Sequence, residues 1–107
     1  MRRYTTPNLP MTVPVNLTGA VIYVTIKQGQ RKLQKTGADV VSVYDSESGK
    51  TTLTVTLTQE ETGAFLAEKS ATIQVNWIFS DGTRDATDIK KIEVSENLLS
   101  EVIQYAD

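Results

Sequence analysis

Apolar and polar residues alternate along most of this chain, which is the pattern of half-buried β-strands. In residues 20–28 (AVIYVTIKQ), Ile22, Val24 and Ile26 fall on one face, and mainly polar residues fall on the other. Residues 51–58 (TTLTVTLT) alternate leucine and valine with threonine, which is β-branched yet readily hydrated. Both segments are therefore predicted to be strands that cover one side of a hydrophobic core.

Turn signals divide the rest of the chain into further short strands. Gly29 separates the first strand from a polar return strand, and Asp81-Gly82 favours a hairpin because tight turns need positive φ values. Prolines among residues 1–14 suit an edge strand and argue against a helix there. This order of elements predicts an all-β antiparallel sandwich or barrel. The remaining predicted strands are 31–36 (RKLQKT), 38–45 (ADVVSVYD), 71–79 (ATIQVNWIF) and 85–94 (DATDIKKIEV).

The segment LTQEETGAF (57–65) interrupts the alternation. Thr58 followed by Glu61 is the spacing of a capping box, and Gly63 can end a short helix. The adjacent carboxylates of Glu60 and Glu61 also raise an acid/base interpretation. Adjacent residues on a helix do not share a face, however, so the segment is predicted to be a corner between two strands.

The period changes again in the last segment, SENLLSEVIQYAD (95–107). Its large apolar residues recur at the spacing of one face of a short helix. Such a face is costly to leave in water, so the predicted helix should dock on its own sandwich or on a neighbouring molecule. The face consists of Leu98, Leu99, Val102 and Ile103.

The composition is that of one soluble globular domain. The chain has 107 residues, 39% of them apolar and 22% charged, which is enough for one core. Its 11 basic and 13 acidic residues leave no cationic surplus, so we expect no nucleic-acid partner. No apolar run approaches the roughly 20 residues of a membrane helix, and residues 1–15 lack the apolar core of a signal peptide. We therefore also expect no membrane partner.

The chain contains neither cysteine nor histidine. Disulfides, thiolate nucleophiles and zinc sites built from these residues are therefore excluded. The usual base of a catalytic triad is also missing, so we expect neither an enzyme nor a cofactor. Carboxylates can still support chemistry, which leaves a carboxylate-dependent hydrolase as the enzymatic alternative.

Asp81, Asp85 and Asp88 raise a calcium hypothesis. Their spacing lacks the D-x-D-x-D-G pattern and the final glutamate of an EF-hand loop. Hairpin formation already accounts for Asp81. We therefore predict no metal site, with weak calcium binding at Asp85 and Asp88 as the alternative.

The aromatic residues divide between core and surface. Trp77 and Phe79 alternate with polar residues in an apolar strand, which predicts that they lie in the core. Tyr23 and Tyr44 are predicted to lie on exposed faces, where an aromatic ring can contact a sugar. These two tyrosines are the candidate glycan contacts.

The order of features resembles a family of viral structural proteins. The chain opens with RRYTTPNLP, continues through VIYVTIKQG and LTQEETGAF, and ends with IQVNWIFSDG and NLLSEVI. This order is similar to small tail or baseplate-associated proteins of phages and prophages of Gram-positive bacteria, in particular to the immunoglobulin-like N-terminal domain of upper baseplate proteins. The resemblance implies a sandwich that assembles within a virion, with no cofactor and no reaction.

We therefore predict one immunoglobulin-like β-sandwich domain over residues 1–107, with a helical turn near 59–62 and a short C-terminal helix. The predicted function is that of a structural virion component of the tail or baseplate, which contacts copies of itself and other tail or baseplate proteins. A carbohydrate-binding module for a cell-wall glycan is the alternative. The candidate contact residues are an N-terminal strand and the helix face: Tyr4, Thr5, Thr6, Leu98, Leu99, Val102 and Ile103.

Overall fold

The computed structural model describes residues 1–105, which form two antiparallel sheets packed face to face. Two short helical elements accompany the strands: a 3-10 turn at Gly37–Asp39 and helix α1 at Gln59–Gly63. The strands are β1 (Asn8–Val13), β2 (Val21–Gln28), β3 (Arg31–Thr36), β4 (Val40–Asp45), β5 (Lys50–Thr56), β6 (Ala71–Ile78), β7 (Arg84–Ala86) and β8 (Lys90–Ile92).

The strand order is that of an immunoglobulin-like sandwich. One sheet has the order β1-β5-β4, and the other has the order β3-β2-β6-β7 with β8 also paired to β6. Read across each sheet, these strands take the positions B, E and D of one immunoglobulin sheet and C′, C, F and G of the other. The predicted fold class is therefore confirmed, with β7 and β8 sharing the last position.

The core follows the predicted alternation. Ile22, Val24 and Ile26 of β2 are all buried, and Leu53 and Val55 of β5 are completely covered on the facing sheet. Trp77 is only 5% exposed, which confirms its predicted place in the core. The two sheets are thus held together by the side chains that the period of two assigned to one face of each strand.

The last predicted strand, 85–94, is divided into two. The N–H of Thr87 donates to the carbonyl of Val75 at 2.9 Å, and the Thr87 hydroxyl accepts from the N–H of Val75 at 3.1 Å. Thr87 thus uses both backbone groups of Val75, and the next two residues leave the ladder before it resumes at Lys90. Such an interruption is typical of a bulged edge strand.

The predicted C-terminal helix is absent from residues 97–105, and the last two residues of that prediction lie outside the described residues. The Asn97 side chain accepts from the N–H of Leu99 at 3.1 Å, which is a turn that competes with a helix. Both backbone groups of Ile103 bond instead to the side chain of Gln59. A helix this short is not stable without a buried face, and these residues bury none.

Candidate interaction surface

Helix α1 forms the corner between β5 and β6. The N–H of Glu61 donates to the hydroxyl of Thr58 at 3.1 Å, and the N–H of Thr58 donates to the Glu61 carboxylate at 2.8 Å. Both halves of the predicted capping box are therefore present. Glu60 is exposed whereas Glu61 is partly buried, so the two carboxylates have different surroundings.

Glu61 also forms an ion pair with Lys35, in which the nitrogen and oxygen are 2.9 Å apart. Burial raises the pKa of Glu61, but the hydrogen bonds from Lys35 and Thr58 and the Lys35 charge together lower that pKa below its ordinary value of 4.5. Glu61 is therefore ionised at neutral pH. Its oxygens are used for capping and for tying β3 to the corner.

We expect the Glu61→Gln variant to lose part of the acid sensitivity of the wild-type protein. Because the pKa of Glu61 is lowered by folding, the carboxylate contributes stability above its unfolded pKa, and this contribution disappears as the pH falls through its folded pKa. Urea unfolding at neutral pH should show a variant about 1 kcal/mol less stable. The difference should shrink below about pH 4.

Glu60→Gln is the matched control, because Glu60 is the exposed neighbour in the same helix. This control should keep the wild-type pH dependence. A stability difference for Glu61→Gln that is the same at neutral and acidic pH would contradict the assigned role of the carboxylate.

The N-terminal segment docks on this corner. The buried hydroxyl of Thr62 accepts from the N–H of Thr5 at 3.0 Å and donates to the carbonyl of Thr5 at 2.8 Å. Tyr4 has a φ angle of 58°, which lies outside the strand region. The predicted strand over Tyr4, Thr5 and Thr6 is therefore wrong, and the first strand begins only at Asn8. Thr6 is exposed.

Arg3 joins the N-terminal segment (residues 1–6) to the corner and to the C-terminal segment (residues 95–105). Its guanidinium donates to the carbonyl of Gly63 at 2.7 Å and to the carboxylate of Glu96 at 3.0 Å. It lies 5.1 Å from the centre of the Tyr4 ring, a distance at which cation and ring attract. Asn97 in turn donates to the carbonyl of Arg3 at 3.1 Å. The N-terminal segment, the corner and the C-terminal segment thus meet at one end of the sandwich.

The C-terminal segment carries large apolar side chains that stay outside the core. The Gln59 amide donates to the carbonyl of Ile103 and accepts from its N–H, each at 2.9 Å, so the segment is fixed to the corner. Leu98 is fully exposed, and the other apolar residues of the segment expose 38–94% of their surface. We define the C-terminal apolar surface as Leu98, Leu99, Val102, Ile103 and Tyr105.

Tyr23 and Tyr44 belong to different sheets and do not form one groove. Tyr23 lies on the outer face of β2, as predicted, in a shallow depression of about 460 Å³. Tyr44 pairs with the buried Thr51, so it lies on the core-facing side of β4 and not on the predicted face, but its side chain is 37% exposed, as predicted. Polar side chains line the Tyr23 depression, among them Gln34, Asn76 and Arg84.

Asp81 serves the hairpin turn, whereas Asp85 lies within β7. Asp81 accepts from the N–H of Thr83 at 2.8 Å, and this hydrogen bond lowers the pKa of Asp81. Asp85 accepts from the N–H of Ala86 at 2.8 Å. Within residues 1–105, no group of three or more acidic side chains is placed to hold a metal ion.

The sequence did not predict a groove of about 750 Å³ between β1 and the strands β7 and β8. Its lining is largely apolar and includes Met11, Ile73 and Trp77. The available signal was Pro10, because a proline in a strand marks a free edge.

Comparisons with known proteins leave the family open. No family model and no curated protein matches the chain. One similar solved structure is that of murine CRIg, with 12% identity, a TM-score of 0.37, and coverage of 91% of this chain and 89% of that chain.

Among residues 1–105, no helix has the length and apolar character required to cross a membrane.

Proposed function

We propose that this protein is a structural component of a phage tail or baseplate and that it acts through protein–protein contacts. The C-terminal apolar surface carries this proposal, and the resemblance in the order of sequence features supports the virion setting. Single exposed apolar residues are normal on a protein, but five on one short segment indicate an interaction site.

The attachment of this segment also favours binding. Asn97 donates to the carbonyl of Arg3 in the N-terminal segment, and the backbone of Ile103 exchanges two hydrogen bonds with the Gln59 side chain at the corner. A partner therefore meets a segment whose backbone is already partly ordered, which lowers the entropy lost on association. Repeated copies of such a surface suit the symmetric assemblies from which virion organelles are built.

We expect the wild-type chain to associate at micromolar concentrations and the double variant Leu98→Ser with Val102→Ser to associate at least about tenfold more weakly. Light scattering over a concentration series measures both, because the monomer mass is 11.8 kDa. Val43→Ser is the control, since Val43 is 61% exposed and lies on β4, at the opposite edge of its sheet from β1. Equal weakening by the control would contradict a specific surface.

The virion setting has its own test. Mass spectrometry of phage particles purified from the host that encodes this chain should detect it together with the other tail proteins. Its absence from such particles, combined with a strictly monomeric chain in solution, would overturn the proposal.

A second candidate function is recognition of a cell-wall glycan on the outer face of β2. Tyr23 is exposed there beside amide and guanidinium groups, and an aromatic ring with polar neighbours can stack on and orient a sugar. Binding on a glycan array that is lost in Tyr23→Ala but kept in Tyr44→Ala would favour this function. Equal binding by both variants would exclude this face.

A further inference from the structure

The groove between β1 and the strands β7 and β8 lies where an additional strand of the fold would pack. In an immunoglobulin-like sandwich the first strand lies beside the strand that β1 represents, and within residues 1–105 β5 is the one strand that pairs with β1. The groove extends along residues 9–15 and is bounded on the other sheet by the edge of β7 and β8. At about 3.3 Å per residue, this length of β1 and its continuation spans about 23 Å.

The β1 side of the groove cannot supply a full backbone ladder. The N–H of Leu57 donates to the carbonyl of Pro7, so the backbone of Pro7 points toward the side of β5. In an antiparallel pair, every second residue directs its backbone groups to the partner strand in this way. The intervening residues of β1, including Pro10, therefore direct their backbone groups toward the groove. Because Pro10 has no N–H, an occupant must bind largely through its side chains.

The opposite edge already accepts a strand-like segment over part of its length. Residues 1–3 pair in parallel with residues 93–95, through hydrogen bonds of 2.8 and 3.0 Å between Ser95 and its two partners. Strand β8 directly precedes residues 93–95 in the chain, and its residues line the groove. Added chain at this edge is therefore compatible with the local backbone geometry.

Lys90 is one of the charged residues that line the groove. It pairs with the buried Ile73, so it lies on the core-facing side of β8 although its side chain is exposed. Lys91, Asp85 and Asp88 also belong to the lining. An apolar occupant with one acidic residue near Lys90 would match the lining in both polarity and charge.

Residues 98–105 (LLSEVIQY) have this character. They carry five exposed apolar side chains, one carboxylate at Glu101 and no cationic residue. In extended form, which requires release of the two hydrogen bonds between Gln59 and Ile103, these eight residues are about 26 Å long, close to the length of the groove. The hydrogen bonds of Asn97 and Ile103 hold this segment at the corner of its own chain, so it does not line its own groove.

We propose that the groove between β1 and β8 binds residues 98–105 of a second copy of this chain, with Glu101 paired to Lys90. This inference rests on the proposed function and names the contact through which copies associate. One segment and one groove on every copy form a heterologous contact, which closes into a ring or continues as a filament.

Cross-linking tests the contact, because the chain has no cysteine of its own. A chain with Val102→Cys is mixed with a size-tagged chain that carries Thr12→Cys in the groove lining, and a short bis-maleimide joins thiols that meet. We expect a product of mixed size from this pair. The control is Gln34→Cys on the exposed edge strand β3, which should give little product.

A charge exchange tests the pairing. Lys90→Glu and Glu101→Lys should each weaken association about threefold to tenfold, and the chain with both changes should recover most of the loss. Lys27→Glu, an exposed change of equal charge on β2, should leave association unchanged.

Three results would overturn the inference. They are equal cross-linking at positions 12 and 34, cross-linking confined within single chains that carry both Thr12→Cys and Val102→Cys, and no recovery in the charge-exchanged chain. If the chain still associates on light scattering, these results remove the groove contact and leave the proposed function standing.

Discussion

The Phe65→Ala variant is expected to lose about 3–5 kcal/mol of its free energy of unfolding. Phe65 is 1% exposed and is among the largest fully buried side chains of the described residues. Its side chain belongs to the buried core, so its removal leaves a cavity that neighbouring side chains fill only in part. Small domains have a total stability of about 5–15 kcal/mol, and the loss is therefore a large share of it.

Leu66→Ala is the matched control for this prediction. Leu66 is the next residue and is 50% exposed, while its backbone N–H and carbonyl bond to the side chain of Gln28. The substitution keeps both hydrogen bonds and should cost under about 1 kcal/mol. Urea unfolding followed by the fluorescence of Trp77 measures both variants, and equal losses would contradict the role of Phe65.

The Gly63→Ala variant is expected to lose about 1–3 kcal/mol, because it crowds the contact between the corner and the N-terminal segment. A Cβ atom on Gly63 would lie 2.5 Å from Cε1 and 2.7 Å from Cδ1 of the Tyr4 ring. The ring cannot simply move aside, since Thr5 is bonded to Thr62 and Arg3 lies against the ring. Thermal or urea unfolding measures the loss.

Tyr4→Ala provides the test of this mechanism. Without the ring, alanine at position 63 meets no clash, and alanine is favoured over glycine in a helix by up to about 1 kcal/mol. Gly63→Ala should therefore be neutral or stabilising in the Tyr4→Ala background. An equal loss in both backgrounds would show that the cost at position 63 does not come from Tyr4.

The strands, the capping box and the buried side chains of the fold could be predicted because each depends on neighbours in sequence. A period of two assigns Leu53 and Val55 to one face wherever the strand is placed. The box at Thr58 and Glu61 closes over three residues, so no other part of the chain is needed to form it. The sandwich class follows from many such local signals in order.

The candidate surface could be predicted only as separate residues. The spacing of Leu98 and Val102 predicts a helix, but hydrogen bonds with the Gln59 side chain and with the carbonyl of Arg3 hold that segment in another conformation. These partners lie 44 and 94 residues away in the chain. Helix periodicity is a weak preference that a few tertiary hydrogen bonds can outweigh.

Sequence by itself determined that this protein is an antiparallel β-sandwich with a capped corner and a buried Trp77. The tertiary structure alone decided that residues 1–6, the corner and residues 95–105 meet at one end, that Tyr23 and Tyr44 are separated, and that a groove lies beside β1. The physical reason is the separation along the chain over which each interaction acts. Side-chain period and capping act between close neighbours, whereas contacts such as that of Arg3 with Glu96, 93 residues apart, exist only once the sheets have packed.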